Sequence, residues 1–175
     1  MDCVLFRHGI AAERDEWEGP DAARPLTERG AKRVAQAAAG LSRLDVQPTH
    51  ILSSPLIRAI ETAKIAHRSL RIRTTVHIVD ELLPDASPNK LLSILHDLPP
   101  ESCVLCIGHE PHLGLAASVL LSGRASASFP LKKAGACLIE LSSLVKPGQG
   151  LLRWWLTPSQ LRAIGKRETG LRDDG

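Results

Sequence analysis

Apolar runs and helix-periodic segments alternate along the chain up to residue 122. Four compact runs of aliphatic or β-branched residues are predicted to be short strands: residues 3–6, 50–53, 75–79 and 103–107. The segments between them place apolar residues at helical spacing, and Thr27 stands where its side chain can cap the first helix. Strands that alternate with helices are typical of an α/β fold with parallel strands.

Proline marks the start of each later helix. Ser54 is expected to cap a helix with Pro55 at its first position, because proline lacks the backbone N–H that this position leaves unpaired. On the same argument, Pro88 and Pro111 begin the next two helices. The Pro-Pro pair at residues 99–100 ends the helix that Pro88 begins.

The last third of the chain has a different pattern. Residues 136–141 and 151–156 are predicted to form two strands joined through a Pro-Gly loop, which indicates a late β-hairpin. A final helix begins at Pro158, and a polar tail covers residues 166–175. Because the chain shows neither an internal repeat nor a linker, we expect a single α/β domain at residues 1–165.

Composition excludes several classes of protein. The 175 residues include only 3% aromatic residues and no tyrosine, so the chain lacks a set of rings for stacking on single-stranded nucleic acid. The net charge of +3 is too small to require a nucleic-acid partner. Apolar stretches are too short for a membrane-spanning helix, and the N-terminus is unlike a secretory signal. We therefore expect neither a nucleic-acid partner nor a membrane.

The four cysteines predict neither a zinc site nor a disulfide framework. Cys103 and Cys106 have metal-like spacing, but residues three apart on a strand face opposite sides of the sheet. A second such pair is missing, and carboxylates do not cluster. We expect Cys3, Cys103, Cys106 and Cys137 to be buried reduced thiols, which favours a cytoplasmic location. We also expect a monomer that needs no metal and no cofactor.

Basic side chains follow three predicted strands at their carboxyl ends. Arg7 and His8 come directly after the first strand. Arg58 lies in the first turn after the second strand, and His109 follows the fourth. Singly, a surface arginine and a structural histidine are the simpler interpretations. The carboxyl edge of a parallel sheet is, however, where ligands bind, and all four share it. Since arginine forks bind phosphoryl oxygens and neutral imidazole can attack phosphorus, they predict a phosphoryl site.

Several motifs resemble those of the histidine phosphatase superfamily, also called the phosphoglycerate-mutase-like family. They are Arg7-His8-Gly9, the sequence SSPLIRAIETA at residues 53–63, and Gly108-His109. Residues 25–30, PLTERG, are similar to the segment that follows the first motif in that family. The short chain and the pattern Trp154-x-Leu156-x-Pro158-x-x-Leu161 resemble the SixA group of phosphohistidine phosphatases.

The resemblance implies a single-domain, three-layer α/β/α sandwich with a mixed, mainly parallel sheet and a late antiparallel hairpin at its edge. The predicted domain would then be a histidine phosphatase domain. The activity implied is that of a metal-independent phosphatase with His8 as the nucleophile. The phosphate pocket implied contains Arg7, Arg58 and His109, and we expect Gly9 to contribute to substrate binding.

The motifs do not identify the residue that acts as general acid. Many members of the family use a carboxylate after the third strand, where Glu81 stands here. Asp80 and Asp85 are competitors, and a structural or solvated role is equally consistent with all three. A phosphohistidine leaves as neutral imidazole once its ring carries a second proton, whereas an ester alkoxide must be protonated. The general acid is therefore Glu81, Asp80, Asp85 or none of them.

Three functions follow as hypotheses. The first is hydrolysis of phosphohistidine on a phosphorylated protein, such as the phosphotransfer domain of a signalling relay, through a covalent intermediate on His8. It is favoured because only about twenty residues separate Glu81 from the fourth strand, which leaves little chain for a lid. The second is hydrolysis of a small phosphate ester. The third is a non-catalytic phosphate-binding module, against which the intact His8 argues.

Overall fold

A six-stranded sheet lies at the centre of the fold. The computed structural model describes residues 1–166. Its strands are β1 (Asp2–Arg7), β2 (His50–Ser53), β3 (Val76–Ile78), β4 (Cys103–Gly108), β5 (Ala136–Glu140) and β6 (Leu151–Leu156). Its α-helices are α1 (Glu28–Arg43), α2 (Ile57–Leu70), α3 (Pro88–His96), α4 (His112–Ser122) and α5 (Pro158–Gly165). The predicted polar tail at 166–175 lies outside the described residues, except for its first residue.

The strand order is β3-β2-β4-β1-β5-β6. β1 and β2 both run parallel to β4, and β3 runs parallel to β2. β5 is antiparallel to both β1 and β6. The apolar runs of β1 and β4 are buried on both faces, as expected for parallel strands that helices cover. The mixed, mainly parallel sheet and the late hairpin are therefore confirmed.

Helices cover both faces of the sheet and create two separate cores. On one face α1, α2 and α5 pack against the sheet through residues that include Val34, Ala59 and Leu161. On the other face α3 and α4 contribute Leu91 and Leu113. Successive strand residues point to opposite faces, so each strand supplies both cores. The three-layer α/β/α sandwich is thus confirmed.

The start of α1 is fixed by a cap and by a close backbone contact. The Thr27 hydroxyl accepts a hydrogen bond from the Gly30 N–H at 2.9 Å, which confirms the predicted cap. The Thr27 N–H donates to the Ile10 carbonyl oxygen at 2.9 Å. A Cβ on Gly30 would lie 2.0 Å from that same oxygen, so only glycine permits this approach. The helix is thereby held against the loop that follows β1.

The predicted start of α2 is wrong by two residues. The helix begins at Ile57, and Leu56 occupies the N-cap position without a side-chain hydrogen bond. Ser54 and Pro55 belong to the connection from β2, and the Ser54 N–H continues the pairing of β2 with β4 by donating to the Ile107 carbonyl. The Ser54 hydroxyl bonds a histidine side chain and accepts a long hydrogen bond from the Leu56 N–H, one residue before the helix begins.

The cysteine side chains lie as the strand periodicity requires. All four are free, and three of them are buried: Cys3, Cys106 and Cys137. Cys103 is half-buried and packs with the core opposite to that of Cys106, which excludes a shared metal site for this pair. Among residues 1–166, every helix is too short or too polar to cross a membrane.

Candidate active site

The parallel pairing of β1, β4 and β2 brings the predicted basic residues to one edge of the sheet. Arg7 pairs with Gly108, and Ser53 pairs with Ile107, so the residues that follow these strands meet there. They line a pocket of about 350 Å³. Its lining residues are Arg7, His8, Arg14, Asp21, Arg24, Arg58, Pro84, His109, Glu110 and Lys133. Four predicted site residues, Arg7, His8, Arg58 and His109, therefore share one pocket.

His8 is held with one ring nitrogen fixed and the other free. The side chain is only 6% exposed, and its Nδ1 lies 2.7 Å from the Gly9 carbonyl oxygen. A carbonyl only accepts, so Nδ1 carries the proton, and the lone pair is on Nε2. Burial and, to a smaller extent, the charges of Arg58, Arg7 and Lys133 lower the pKa of His8 to about 3, against the opposing effect of the bond to Gly9. His8 is thus a neutral imidazole at physiological pH, with Nε2 unprotonated.

Gly9 uses both of its backbone groups within the protein. Its N–H donates to the Thr62 hydroxyl at 3.1 Å, and its carbonyl accepts from His8. The Thr62 hydroxyl in turn donates to the Arg58 carbonyl at 2.7 Å. A Cβ on Gly9 would lie 2.5 Å from a methyl group of Val34 on α1. Gly9 therefore connects the motif on β1 to α1 and α2, and its N–H is already paired.

Arg58 forms a fork with Asp21. Its Nη1 donates to the Asp21 backbone oxygen at 2.9 Å, and its Nη2 donates to Asp21 Oδ2 at 3.0 Å. Arg24 donates to the other carboxylate oxygen at 3.1 Å. Partial burial opposes ionisation of Asp21, but Arg58 and Arg24 together hold the pKa of its carboxyl below the usual value. The first residue of the 3-10 turn Asp21–Ala23 thus fixes the orientation of the Arg58 guanidinium.

Arg7 is oriented by the chain segment before β5. Its Nη1 donates to the Leu131 carbonyl at 2.7 Å, while the Leu131 N–H donates to Glu110 Oε1 at 2.9 Å. Burial raises the pKa of Glu110, against the opposing effects of this bond, Arg7 and the Gly114 N–H. One peptide unit therefore couples the position of Arg7 to that of Glu110.

His109 stands beside His8 and is almost completely buried. The two ring centroids are 4.8 Å apart, and the planes are tilted by 51°. Its Nε2 lies 2.8 Å from the Ser54 hydroxyl oxygen. Burial, together with the nearby charges, lowers the pKa of His109 to about 2. Its ring is therefore neutral, like that of His8.

Three buried nitrogen atoms around the pocket are unpartnered. Among residues 1–166, Arg7 Nε, Arg58 Nε and His109 Nδ1 are shielded from solvent and make no hydrogen bond. Buried polar groups are normally hydrogen-bonded, and each exception calls for a physical reason. All three belong to residues that line the same pocket beside His8. The two arginine Nε–H groups can only donate, so the residues beside His8 carry N–H groups that no acceptor among residues 1–166 satisfies.

The predicted carboxylates after the third strand are not part of this lining. Glu81 is half-buried in the 3-10 turn Asp80–Leu82, and Asp80 and Asp85 are exposed. From residues 79–102, only Pro84 lines the pocket. The structure therefore brings four of the predicted catalytic residues together and does not bring Glu81 among the lining residues.

Sequence reasoning missed both carboxylates that do line the pocket, Asp21 and Glu110, as well as Lys133. Glu110 directly follows His109, and that adjacency was the one available signal. Asp21 lies in a polar loop and Lys133 precedes a predicted strand, so their positions depend on the paths of two loops. Among residues 1–166, no group of three or more His, Cys, Asp or Glu side chains is placed to bind a metal ion.

Comparison with known proteins is consistent with this site. The family model of the histidine phosphatase superfamily (branch 1) matches residues 3–83. An uncharacterised protein of Picosynechococcus sp. is 34% identical over 137 residues, which cover 77% of this chain and 82% of the relative.

Two further similarities extend over nearly the whole chain. Phosphohistidine phosphatase SixA of Escherichia coli is 26% identical over 164 residues, 93% of this chain and 97% of the relative. Among solved structures, the protein histidine phosphatase SixA complexed with tungstate matches with a TM-score of 0.81 at 26% identity, covering 92% of this chain and 99% of that chain.

Proposed function

This chain belongs to the histidine phosphatase superfamily and is a SixA-type phosphatase, and we propose that its substrate is a phosphorylated histidine side chain of another protein. The observation that carries the catalytic part is the lone pair of His8 Nε2, held among buried donors that have no partner within residues 1–166. In this proposal His8 is the nucleophile, and Arg7, Arg58 and His109 bind the phosphoryl group.

In the first step, His8 Nε2 attacks phosphorus. The new N–P bond forms as the bond to the leaving imidazole nitrogen breaks, and that electron pair stays on the leaving ring. Arg7 and Arg58 bind the equatorial oxygens of the transferring group, on which the charge is spread. His109 donates to another of these oxygens. The Nδ1–H bond to Gly9 stabilises the positive charge that His8 acquires on phosphorylation.

In the second step, water hydrolyses the phosphorylated His8. The water oxygen bonds to phosphorus, the N–P bond breaks, and its electron pair returns to Nε2. Because His8 keeps its proton on Nδ1, it departs as a neutral imidazole and needs no acid. The proton released by water goes to the phosphate product or to solvent. The Gly9 carbonyl thus supports both halves of the cycle.

The two pocket carboxylates support a phosphohistidine substrate. Asp21 is bound by Arg58 and Arg24, and Glu110 accepts from the backbone of Leu131. An alkoxide leaving group needs a proton from an acid, whereas a protonated phosphohistidine ring leaves as neutral imidazole. A pocket whose carboxylates are both occupied by protein donors therefore favours the phosphoramidate over an ester.

The short segment between β3 and β4 supports a substrate on a protein, because it places little chain over the pocket. Between β3 and β4 the chain contributes Pro84 to the lining, and the nine residues of α3 pack against one face of the sheet instead. An enzyme for a small metabolite more often encloses its substrate under a loop. A histidine on a folded partner needs an accessible pocket instead.

Removal of the nucleophile tests the mechanism. We expect His8→Ala to lower kcat by at least about a thousandfold, because the covalent route is lost. The parent protein should trap phosphate on His8 in an acid-labile, base-stable form. His96→Ala, at an exposed position at the end of α3, is the control and should keep the parent rate. Hydrolysis by a folded His8→Ala variant at the parent rate would exclude the covalent mechanism.

A substrate comparison tests the leaving group. We expect kcat/KM on a phosphohistidine protein to exceed that on sugar phosphates by at least about a hundredfold. Glu81→Gln and Glu110→Gln should both retain turnover of the phosphohistidine protein. If sugar phosphates are the better substrates, and if either variant abolishes their turnover, the enzyme is an ester phosphatase and that glutamate is its acid. Phosphate binding without turnover of any substrate would indicate a binding module.

A further inference from the structure

Ser54 has a hydrogen-bonding arrangement that the motif alone does not explain. The side chain is fully buried between β2 and α2. Its hydroxyl oxygen lies 2.8 Å from His109 Nε2 and accepts a long hydrogen bond, 3.4 Å, from the Leu56 N–H. The neighbouring Ser53 hydroxyl donates to the Ser54 carbonyl at 3.0 Å and is not within hydrogen-bonding distance of the histidine. Of the two serines, Ser54 is therefore the one whose hydroxyl is hydrogen-bonded to a residue of the pocket, His109.

The direction of the bond between Ser54 and His109 follows from where the hydroxyl proton can go. Among residues 1–166, His109 Nε2 is the one acceptor within reach of the Ser54 hydroxyl. If Nε2 carried a proton, the hydroxyl proton would be buried without an acceptor, which is costly. The serine therefore donates and Nε2 accepts. A neutral imidazole carries one proton, so that of His109 is on Nδ1.

We propose that Ser54 is a positioning residue that holds His109 in the Nδ1–H tautomer, so that its remaining ring nitrogen is a donor for a phosphoryl oxygen. His109 Nδ1 is buried and unpartnered among the described residues, and the residue lines the pocket beside His8. This inference rests on the proposed function, since it assigns the way in which His109 meets the phosphoryl group.

The two histidines then have opposite free groups although they share one tautomer. In His8, the Nδ1–H donates to the Gly9 carbonyl, and the lone pair of Nε2 remains for the phosphoryl group. In His109, the lone pair of Nε2 accepts from the Ser54 hydroxyl, and the Nδ1–H remains for the phosphoryl group. A nucleophile needs a lone pair, and an oxyanion needs a donor. The Gly9 carbonyl thus makes His8 a nucleophile, and the Ser54 hydroxyl makes His109 a hydrogen-bond donor.

The tautomer can be read in the unmodified protein. Nitrogen-15 correlation spectra distinguish a protonated ring nitrogen from an unprotonated one, and His109→Gln identifies the signals of His109. We expect protonated Nδ1 and unprotonated Nε2 near neutral pH without ligand. A spectrum with the proton on Nε2 overturns the proposal. The measurement needs neither a variant at Ser54 nor turnover.

Binding of inorganic phosphate tests the consequence. We expect Ser54→Ala to weaken phosphate binding by about tenfold and to change the ring-nitrogen signals of His109. Ser53→Ala removes an equally buried neighbouring hydroxyl and should stay within about twofold of the parent. Parent affinity in a folded Ser54→Ala variant, or equal losses in both variants, overturns the proposal. Failure of the His8 mechanism would appear in turnover and would leave the tautomer of His109 unchanged.

Discussion

At the scale of single residues, the chemistry of the site depends on burial as much as on residue type. His8 and His109 are 6% and 2% exposed, and burial is the largest cause of the low pKa of each. An exposed histidine near two arginines would still be partly protonated below neutral pH, and a protonated ring cannot attack phosphorus. Removal from water keeps Nε2 of His8 unprotonated.

The same burial predicts how folding stability depends on pH. Unfolded histidine has a pKa of about 6.5, whereas those of His8 and His109 in the folded protein are about 3 and about 2. Stability is therefore complete above the unfolded pKa and falls as pH decreases from there toward 3. Between about pH 7.5 and about pH 5.5, each buried histidine should cost about 1 kcal/mol.

Urea unfolding of a His8→Asn variant measures this contribution. The free energy of unfolding should fall less between the two pH values in the variant than in the parent, by about 1 kcal/mol. All other titrating groups are common to both proteins and cancel in the difference. An equal fall in both proteins would mean that His8 is not held neutral by the fold.

At the scale of elements, the site depends on how closely α1 approaches the loop after β1. Thr27 and Gly30 dock the helix onto the Ile10 carbonyl, and Gly9 packs against Val34 one turn later. The hydrogen bond that fixes the His8 tautomer involves the residue directly before Ile10. Helix docking and nucleophile geometry are thus coupled through two peptide units.

Gly30→Ala separates helix propensity from this packing. Alanine should stabilise an isolated helix by about 1 kcal/mol relative to glycine. Here its Cβ would lie 2.0 Å from the Ile10 oxygen, so we expect a net loss of about 2 kcal/mol in the free energy of unfolding. Ser42→Ala, exposed on the same helix, is the control and should be neutral or slightly stabilising. A more stable Gly30→Ala variant would contradict the contact.

At the scale of the whole molecule, charge is concentrated at the pocket. Five cationic side chains line it against two carboxylates, whereas the entire chain has a net charge of only +3. Such a local excess attracts an anionic partner surface and speeds its association. The residues that do this best are those at the rim, such as Arg14, whose side chain is 83% exposed.

Arg14→Ala should therefore affect association more than chemistry. We expect kcat/KM on a phosphohistidine protein to fall about threefold at low salt with kcat unchanged, and the difference to shrink at high salt. Arg43→Ala, exposed at the opposite end of α1, removes the same charge and should have no effect. A salt-independent loss of kcat would instead place Arg14 in the chemical step.

Hydrophobic periodicity was sufficient to predict the order and type of the regular elements. Aliphatic runs and helical spacing depend only on local sequence, and the sheet, hairpin and Thr27 cap follow the predictions. The edge that collects Arg7, His8, Arg58 and His109 was also predictable, because parallel strands present their carboxyl ends together. The motifs add the family, which the comparisons confirm.

The tertiary structure decided the details on which the chemistry depends. Which carboxylates enter the pocket, Asp21 and Glu110 but not Glu81, depends on loop paths that no periodicity encodes. Ser54 bonds His109 across two strands although its local sequence predicts a helix cap. Hydrogen-bond partners far apart in sequence are set by packing. The residue types that can bind phosphate were therefore predictable from the sequence alone. The free lone pair of His8 and the free N–H of His109 depend instead on the hydrogen-bond partners that the fold gives their other ring nitrogens, the Gly9 carbonyl and the Ser54 hydroxyl.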